Sequence, residues 1–179
     1  MKQGSGSKAG NGPDGIDTII NSEWFMKEAL KEASKAYNEG ETPVGAIIVK
    51  DGKIVSRGRN QKESRTDPIA HAEIMAIRKA CRKLGTWRLN DCDMYVTLEP
   101  CTMCAGAIIQ ARLGRLFIGA FDPKAGAAGS VIDVFRVEKF NHRVEVTYGI
   151  LEKECAGLLK DFFRELRSQK HDADKEAGI

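Results

Sequence analysis

Residues 97–116 read TLEPCTMCAGAIIQARLGRL, and this stretch joins an apolar strand to a helix with very small side chains. The helix is predicted over residues 101–111, and the proline before it suits a helix start because its missing N–H would be unpaired there anyway. Residues three apart share one face of a helix, so Cys101 and Cys104 can bind one ion together. Both fall in the first turn, where the helix dipole favours the thiolate form.

A second motif, His71-Ala72-Glu73, lies in the segment DPIAHAEIMAIRKA (67–80), and His71 precedes Cys101 by 30 residues. Apolar side chains at helical spacing predict a helix over residues 71–83. Side chains at a helix start tilt toward its N-terminus, so His71 and Glu73 can both reach beyond the helix end. The two helix starts are therefore expected to face each other across the edge of a sheet, with a metal ion between them.

The three candidate ligands, His71, Cys101 and Cys104, favour Zn²⁺. One neutral imidazole and two thiolates are typical zinc ligands, and they leave a fourth coordination position open. An open position indicates a catalytic site, because a structural site is closed by four protein ligands. The sequence therefore predicts one catalytic zinc ion per subunit.

The remaining cysteines and histidines leave alternatives open. Cys92 precedes a predicted strand and is a conceivable fourth ligand of a structural site. Cys81 and Cys155 fall on apolar helical stripes, which is typical of core cysteines. A redox role for the CxxC pair is another alternative, although no thioredoxin-like context surrounds it. His142 and His171 are not expected to be ligands.

Glu73 is the candidate proton carrier. Water bound to zinc has a pKa near ~7, so a hydroxide nucleophile is available at neutral pH. Hydrolysis of an aromatic amine requires attack on the carbon that bears the amino group, a proton for the neighbouring ring nitrogen and a proton for the leaving ammonia. One carboxylate can take a proton from water and deliver it twice. The alternative interpretation of Glu73 is an exposed acid in a first helical turn, which the helix dipole also favours.

The composition is that of one globular domain in a reducing compartment. The chain has 179 residues, 42% apolar and 30% charged, with five cysteines and a formal net charge of +3. The odd number of cysteines argues against a disulfide framework. No apolar run approaches the ~18 residues of a membrane span and the first residues lack an apolar signal region, so the cytoplasm is expected. The charge is too small to indicate nucleic-acid binding by itself.

Three segments are predicted along the chain: a flexible tail over residues 1–20, one domain over residues 21–168 and a flexible tail over residues 169–179. The order of strands and helices within the domain predicts an α/β sandwich built on a mixed sheet. Besides the two helices above, the expected elements are a helix capped by Ser22 and running to Asn38, a hairpin of strands 44–49 and 53–59 that turns at Asp51-Gly52, strands 94–98, 116–118 and 144–147, a short helix after residue 130 and an amphipathic helix over residues 151–167.

The motifs together form a known pattern, H-x-E followed by P-C-x-x-C. The sequence resembles the cytidine-deaminase-like superfamily, and within it the bacterial tRNA-specific adenosine deaminases, over about residues 22–168. The zinc motif is common to the superfamily, whereas the GAAGS loop, the NHRVE segment and the FFR helix favour the tRNA-specific family. The residues that carry the resemblance are TPVGAIIV (42–49), Asn60, DPIAHAEIMAIRKA (67–80), TLEPCTMCAGAIIQARLGRL (97–116), GAFDPKAGAAGS (119–130), NHRVEV (141–146) and DFFRELR (161–167).

The resemblance implies a three-layer α/β/α sandwich with a mixed five-stranded sheet. It implies hydrolysis of the wobble adenosine of a tRNA anticodon loop to inosine, with release of ammonia. It also implies a homodimer that binds the anticodon stem-loop across the subunit boundary. Further residues are implied at the substrate: Asn60 at the flipped nucleoside, Asp122 near its ribose, Val44, Gly45 and Ala46 around the adenine, and Phe162, Phe163 and Arg164 at other bases of the loop.

The residues themselves leave these substrate assignments and the function open. Asn60 at the end of a strand is also typical of a turn. Phe162 and Phe163 lie in the apolar stripe of the last helix, where core packing is the alternative to base stacking. Two other functions remain: deamination of a free base or nucleoside of guanine, cytosine or cytidine type, and RNA binding by a non-catalytic zinc protein. Such a binding protein would be expected to lack the proton-carrying carboxylate, whereas Glu73 is present.

Overall fold

One mixed sheet with helices on both faces organises the chain. The structure, a computed structural model, describes residues 14–176, with side chains for residues 21–169. The elements in chain order are α1 (Asp14–Asn38), β1 (Gly45–Lys50), β2 (Lys53–Arg59), α2 (Lys62–Arg65), α3 (Ala72–Leu84), β3 (Cys92–Leu98), α4 (Thr102–Gln110), β4 (Arg115–Ala120), β5 (Glu145–Thr147) and α5 (Glu152–Glu176). The five strands lie in the order β2-β1-β3-β4-β5. No helix in this part of the chain is long and apolar enough to cross a lipid bilayer.

Strand direction in the sheet follows from the hairpin at its start. β1 runs antiparallel to β2 and to β3, whereas β3, β4 and β5 run parallel. The hairpin turns through Asp51 and Gly52, whose φ angles of 49° and 69° have the positive sign that a type I′ turn requires. Since β2 and β3 are both antiparallel to β1, they end at the same edge of the sheet, and the helices that follow them begin there.

Two cores lie on opposite faces of the sheet. In β1, Ile47 and Val49 face α1 and α5, whereas Ala46 and Ile48 face α3 and α4. This period of two is the pleat of a strand that is buried on both faces. The expected three-layer α/β/α sandwich with a mixed five-stranded sheet is therefore confirmed.

Two helices are longer than predicted. α1 begins at Asp14, so the expected cap Ser22 lies buried inside the helix. Serine is favoured at a helix start, but within a helix its hydroxyl can bond elsewhere, and the residue type alone does not distinguish the two. α5 continues to Glu176, past its expected end. Both predicted tails therefore overlap a helix in part, and the rest of each lies outside the described residues.

Two connecting segments also differ from the prediction. The short α2 replaces part of an expected loop, and its first N–H groups bond the distant carboxylate of Glu41. The helix expected after residue 130 is wrong, because the chain there forms turns and a bridge between Ala128 and Asp133. The loop just before this segment is held by the distant Glu99, whose carboxylate accepts hydrogen bonds from the N–H groups of residues 128 and 130. The first difference arises from contacts across more than 20 residues of chain, which local patterns do not contain. In the second, the N–H groups of Val131, Ile132 and Val134 bond the carbonyls of Gly126 and Ala127 in a turn.

Glycine at position 58 lets α3 approach β2 closely. A Cβ atom at Gly58 would lie 2.2 Å from the carbonyl oxygen of Ala72 and 2.6 Å from the nitrogen of Ala76. These residues belong to the first turns of α3, the helix that follows His71 and carries Glu73. The contact therefore sets how far this helix start lies from the sheet.

Gly58→Ala is expected to lower the free energy of unfolding by about 1–3 kcal/mol, because the added methyl group overpacks this contact. Urea denaturation measures the change. Gly157→Ala in α5 is the matched control, since a Cβ atom there meets nothing within 4 Å. The control should leave stability unchanged or raise it by up to ~1 kcal/mol. Equal effects of the two substitutions would contradict the packing argument.

Candidate metal centre and substrate cavity

The two predicted ligand segments meet at one edge of the sheet. His71 is the N-cap of α3 and Cys101 is the N-cap of α4, both with an extended backbone and neither with a side-chain capping bond. Their side chains are therefore free to point past the helix ends. Cys104, in the first turn of α4, is fully buried beside them. The structure thus brings the three predicted ligands together.

The ligand atoms of these side chains lie at distances that suit one metal ion. His71 Nδ1 is 3.7 Å from Cys101 Sγ and 3.5 Å from Cys104 Sγ, and the three ligand atoms lie within 4.8 Å of one another. A tetrahedral zinc ion with bonds of ~2.0 Å to nitrogen and ~2.3 Å to sulfur places the nitrogen and a sulfur about 3.5 Å apart. Within the described residues, this is the one group of three or more His, Cys, Asp or Glu side chains that could hold a metal ion.

Cys92 is too distant to be a fourth ligand. It begins β3, whereas Cys101 follows the other end of that strand, so about 20 Å of extended chain separates them. Its side chain packs in the core that the sheet forms with α3 and α4. The expectation that Cys81 and Cys155 are core residues is confirmed, since Cys81 packs against the same core and Cys155 lies in the core on the opposite face.

The other two histidines do not join this group. His142 Nε2 lies 2.7 Å from the carbonyl oxygen of Leu113. The side chain of His171 lies outside the described residues. Among the described side chains, His71 is therefore the histidine that can act as a metal ligand together with Cys101 and Cys104.

Hydrogen bonds among the three ligand side chains separate their pKa values. Bonds from the Cys104 thiol and the His71 ring lower the pKa of Cys101 to about 4. The pKa of Cys104 lies above its usual range, because its proton is held by Cys101 and because the thiol is buried. The contact with Cys101 also raises the pKa of His71. The group thus holds protons that a metal ion would displace on binding.

Glu73 lies in the first turn of α3 with only 3% of its surface exposed. The alternative interpretation, an exposed acid at a helix start, is therefore wrong. Burial raises the pKa of the Glu73 carboxyl above its usual range, and the carboxyl is in hydrogen-bonding contact with the Cys104 side chain. An acid in this position can accept or release a proton directly beside the ligand group.

A cavity of about 200 Å³ opens onto these side chains. It lies at the edge where β1 begins and where β2, β3 and β4 end, so residues far apart in the sequence line it. Three of the predicted substrate residues, Val44, Asn60 and Asp122, share this lining with His71 and Glu73. The complete lining is Thr42, Val44, Asn60, Lys62, His71, Ala72, Glu73, Leu98, Glu99, Cys101, Asp122 and Ala125.

Gly45 and Ala46 are not among the lining residues of this cavity, and their expected place around the adenine stays a prediction. A Cβ atom at Gly45 would lie 2.1 Å from the carbonyl oxygen of Ala29, so this glycine packs against α1. Ala46 is fully buried in the core on the side of α3 and α4. Successive strand residues point to opposite faces of the sheet, and only Val44, just before β1, lies at the cavity.

The three predicted RNA-binding residues of the last helix differ in their exposure to solvent. Phe162 is buried, with the centre of its ring 5.4 Å from that of Tyr37. Phe163 is 41% exposed, and Arg164 is exposed and paired with Asp161. Phe162 thus packs inside the protein, whereas Phe163 and Arg164 face outward.

A groove of about 570 Å³ adjoins the cavity and is lined in part by Phe163. The groove and the cavity share Thr42, Leu98 and Asp122. Two aromatic rings and three cationic side chains contribute to the groove, namely Phe121, Phe163, Lys124, Lys160 and Arg167. A chain longer than one nucleoside can therefore continue from the cavity into this groove.

Glu99 is a buried cavity residue that the sequence analysis missed. Its carboxylate accepts the backbone N–H groups of Asp122, Ala128 and Ser130 at 2.9–3.1 Å, and also the hydroxyl of Ser130. Burial acts to raise the pKa of Glu99, but these bonds outweigh it and leave the pKa below its usual range. The ionised side chain therefore holds the loop over residues 122–130 beside the ligand group. An acid at the end of an apolar strand is the one sequence signal that could have found it.

Known proteins resemble this chain in sequence and in fold. The family model described as MafB19-like deaminase matches residues 20–167. The tRNA-specific adenosine deaminase of Bacillus subtilis (strain 168) is 51% identical over 157 residues, which cover 88% of this chain and 98% of the relative. A solved structure from a study of A-to-I editing by tRNA:A34 deaminases at the wobble position has 47% identity and a TM-score of 0.74, covering 76% of this chain and 99% of that chain.

A structure of guanine deaminase from Bacillus subtilis is also similar, with 48% identity and a TM-score of 0.54 over 55% of this chain and 64% of that chain. The three-layer fold, the His/Cys/Cys group and the buried acid beside it define a deaminase of the cytidine-deaminase-like superfamily. Within this class, the chain belongs to the family of the tRNA-specific adenosine deaminases.

Glu99→Gln is expected to loosen the loop over residues 122–130, because an amide has one acceptor oxygen where the carboxylate has two. Amide hydrogen exchange at Ala128 and Ser130 should become at least about 10-fold faster, since a hydrogen bond to a charged group contributes ~1.5–3 kcal/mol. Glu138→Gln, at an exposed acid on the following segment, is the control and should leave this exchange unchanged. Equal exchange rates in the two variants would refute the role of Glu99.

Acid should loosen the same loop in the unmodified protein. The pKa of Glu99 is lower in the folded than in the unfolded state, so its contribution to stability is complete above the unfolded value of ~4.3. That contribution is lost as the pH falls through the folded-state pKa. Hydrogen exchange at Ala128, corrected for the intrinsic effect of pH, should therefore lose protection below about pH 4. Constant protection down to global unfolding would contradict this expectation.

Proposed function

We propose that this protein hydrolyses the wobble adenosine of a tRNA anticodon loop to inosine and releases ammonia. The observation that carries the proposal is the convergence of the His71, Cys101 and Cys104 side chains with the buried carboxyl of Glu73 on one cavity. The substrate is proposed from the relatives, because the Bacillus subtilis relative is named a tRNA-specific adenosine deaminase and the solved structure comes from a study of A34 editing.

One zinc ion per subunit is the proposed cofactor, held by His71, Cys101 and Cys104. The support is the chemistry of the donor set and the distances of 3.5 and 3.7 Å between its nitrogen and sulfur atoms. When bound, the ion would make a water molecule acidic enough to act as a nucleophile at neutral pH. Three protein ligands leave a coordination position for that water.

Glu73 is proposed to move the protons of the reaction. Its carboxylate takes a proton from the attacking water and gives it to the ring nitrogen N1, next to the carbon C6 that is attacked. The same carboxyl then takes the proton of the hydroxyl added to C6 and delivers it to the amino group. The bond from C6 to that amino group breaks, ammonia leaves, and the carbonyl of inosine remains. Burial of Glu73 limits exchange of these protons with bulk water.

The cavity is proposed to receive an adenine that has left the base stack. A paired and stacked adenine hides its C6 atom, so an exposed loop base is the suitable substrate. Val44 is proposed to contact the base, and Asn60 and Asp122 the nucleoside, because these three residues share the cavity with Glu73.

The groove beside the cavity is proposed to bind the neighbouring nucleotides. Its cationic side chains, Lys124, Lys160 and Arg167, suit phosphate groups, and the exposed ring of Phe163 suits stacking with a base. Arg164 is exposed beside that ring and can contact the same strand. A free nucleobase would use none of these groups.

A homodimer in the cytoplasm is the proposed assembly, with the anticodon stem-loop bound across the subunit boundary. A contiguous patch of exposed apolar side chains is typical of a surface that a partner covers. Four apolar side chains close together in the sequence are 43–54% exposed, namely Val131, Ile132, Val137 and Phe140.

A deaminase of free bases is the second candidate, because the guanine deaminase structure is similar over 55% of the chain. A non-catalytic zinc protein is the third, and the buried Glu73 in the cavity disfavours it. One assay separates them: the protein is incubated with an anticodon stem-loop and, separately, with adenosine, cytidine, cytosine and guanine. Inosine and ammonia from the RNA alone support the proposal, ammonia from a free base supports the second candidate, and no ammonia supports the third.

Glu73→Ala is expected to keep one zinc ion per chain, while the rate of ammonia release from the stem-loop falls at least ~100-fold. This is the lower end of the rate enhancement that general acid–base catalysis usually contributes. Metal analysis and an ammonia assay on the same preparation measure both. His71→Ala is the comparison, since it should lose zinc and turnover together. Turnover retained by zinc-loaded Glu73→Ala would refute the proton-carrier role.

Phe163→Ala is expected to weaken binding of the stem-loop about 5- to 100-fold, because stacking on an aromatic ring contributes ~1–3 kcal/mol per base. Arg164→Ala should weaken it as well, because a cation beside that ring can contact a phosphate group. Zinc content should stay the same in both variants. Leu166→Ala is the matched control, an exposed apolar residue of the same helix that lies outside the groove lining. Unchanged RNA affinity in well-folded Phe163→Ala would assign this helix a structural role only.

A further inference from the structure

Glu41 is a fully buried acid in the segment between α1 and β1, apart from the metal-ligand group. Its Oε2 atom accepts the side-chain Nδ2 of Asn60 at 3.1 Å and the backbone N–H of Glu63 at 3.2 Å. Its Oε1 atom accepts the backbone N–H of Ser64 at 2.7 Å. One carboxylate thus joins the start of α2 to a residue that lines the cavity.

The Glu41 carboxylate is ionised at neutral pH. Burial acts to raise its pKa, but hydrogen bonds from Ser64 and Glu63 outweigh the burial and leave the pKa below its usual range. An ionised carboxylate has no proton to donate, so every hydrogen-bond partner of Glu41 must be a donor. The orientation of the Asn60 amide is therefore fixed, with its NH2 group toward the carboxylate.

This contact decides which end of the Asn60 amide is left for a ligand. With Nδ2 turned to Glu41, the acceptor Oδ1 lies on the other side of the amide, and no other described residue bonds it. No buried side-chain oxygen in the described part of the chain lacks a partner, so an unbonded Oδ1 is accessible, and Asn60 lines the cavity. The backbone of Asn60 is held as well, because its N–H donates to the carbonyl of Val44 at 3.0 Å.

We propose that Glu41 is a positioning residue of the deaminase site and that it acts through Asn60. By holding Nδ2, Glu41 presents Oδ1 to the cavity as a hydrogen-bond acceptor, and the group that Oδ1 meets on the bound nucleoside is an N–H or O–H donor. An amide free to turn over would present its NH2 group to that donor in part of the molecules. The inference rests on the proposed function, and the alternative is that Glu41 only stabilises α2.

Glu41→Gln tests the contact, because a neutral amide at position 41 can turn either end toward Asn60. The substitution should lower kcat/KM for the anticodon stem-loop about 10- to 100-fold, as expected for a lost charge-assisted hydrogen bond, with zinc content unchanged. Asn60→Asp should lower it at least as much, since two carboxylates then face each other. Glu63→Gln is the matched control, because it removes a 74% exposed acid of the same segment and should change kcat/KM by less than about twofold.

The double variant Glu41→Gln with Asn60→Asp separates positioning from folding. Its amide at position 41 can donate to the carboxylate at position 60, whose second oxygen then faces the cavity, so the acceptor is restored. We expect kcat/KM to recover to within about fivefold of the unmodified protein, a strong departure from additivity. A carboxylate that only stabilises α2 would give a loss equal to the product of the two single losses, and that result would overturn the proposal.

A measurement without substrate distinguishes failure of this inference from failure of the proposed function. In protein labelled with ¹⁵N-asparagine, the side-chain NH2 signals of Asn60 are assigned by their absence in Asn60→Asp. One of the two hydrogens should exchange with solvent at least about 10-fold more slowly than in Glu41→Gln. Equal exchange would overturn the role of Glu41 even in an active enzyme. Slow exchange in a protein that releases no ammonia from the stem-loop would support the contact and refute the proposed substrate.

Discussion

The common end of β2 and β3 decides where the chemistry of this protein can occur. Because both strands run antiparallel to β1, the helices after them begin at one edge, and each presents its N-cap residue to the same space. His71 and Cys101 make no side-chain capping bond, so their ring and sulfur remain available to a metal ion. Reversing either strand would move one helix start to the opposite edge, about 20 Å away.

Buried carboxylates hold the loops around this edge. Glu41 and Glu99 each accept backbone N–H groups from a segment more than 20 residues away in the chain. An unpaired carboxylate in the interior would be strongly destabilising, but several N–H donors replace the lost water and keep the charge. Glu41 holds the segment after β2 and Glu99 holds the loop after β4, so two walls of the cavity depend on ionised side chains as well as on apolar packing.

Local sequence patterns predicted those features that depend on near neighbours in the chain. The alternation of the strands, the hairpin turn and the helix starts at His71 and Cys101 are of this kind, since spacing and turn residues encode them directly. Features that depend on distant contacts were missed, such as α2, whose N–H groups bond Glu41. The different exposure of Phe162 and Phe163 was not predicted either. Both lie in one apolar pattern, but only tertiary packing decides that the ring of Phe162 is buried and that of Phe163 is exposed.

We propose that one imidazole and two thiolates at this sheet edge hold a single zinc ion with room for solvent. X-ray absorption at the zinc edge of the purified protein tests it most directly. We predict one zinc ion per chain, with two sulfur neighbours at ~2.3 Å and two nitrogen or oxygen neighbours at ~2.0–2.1 Å. Four sulfur neighbours, or zinc without any sulfur neighbour, would contradict this ligand set.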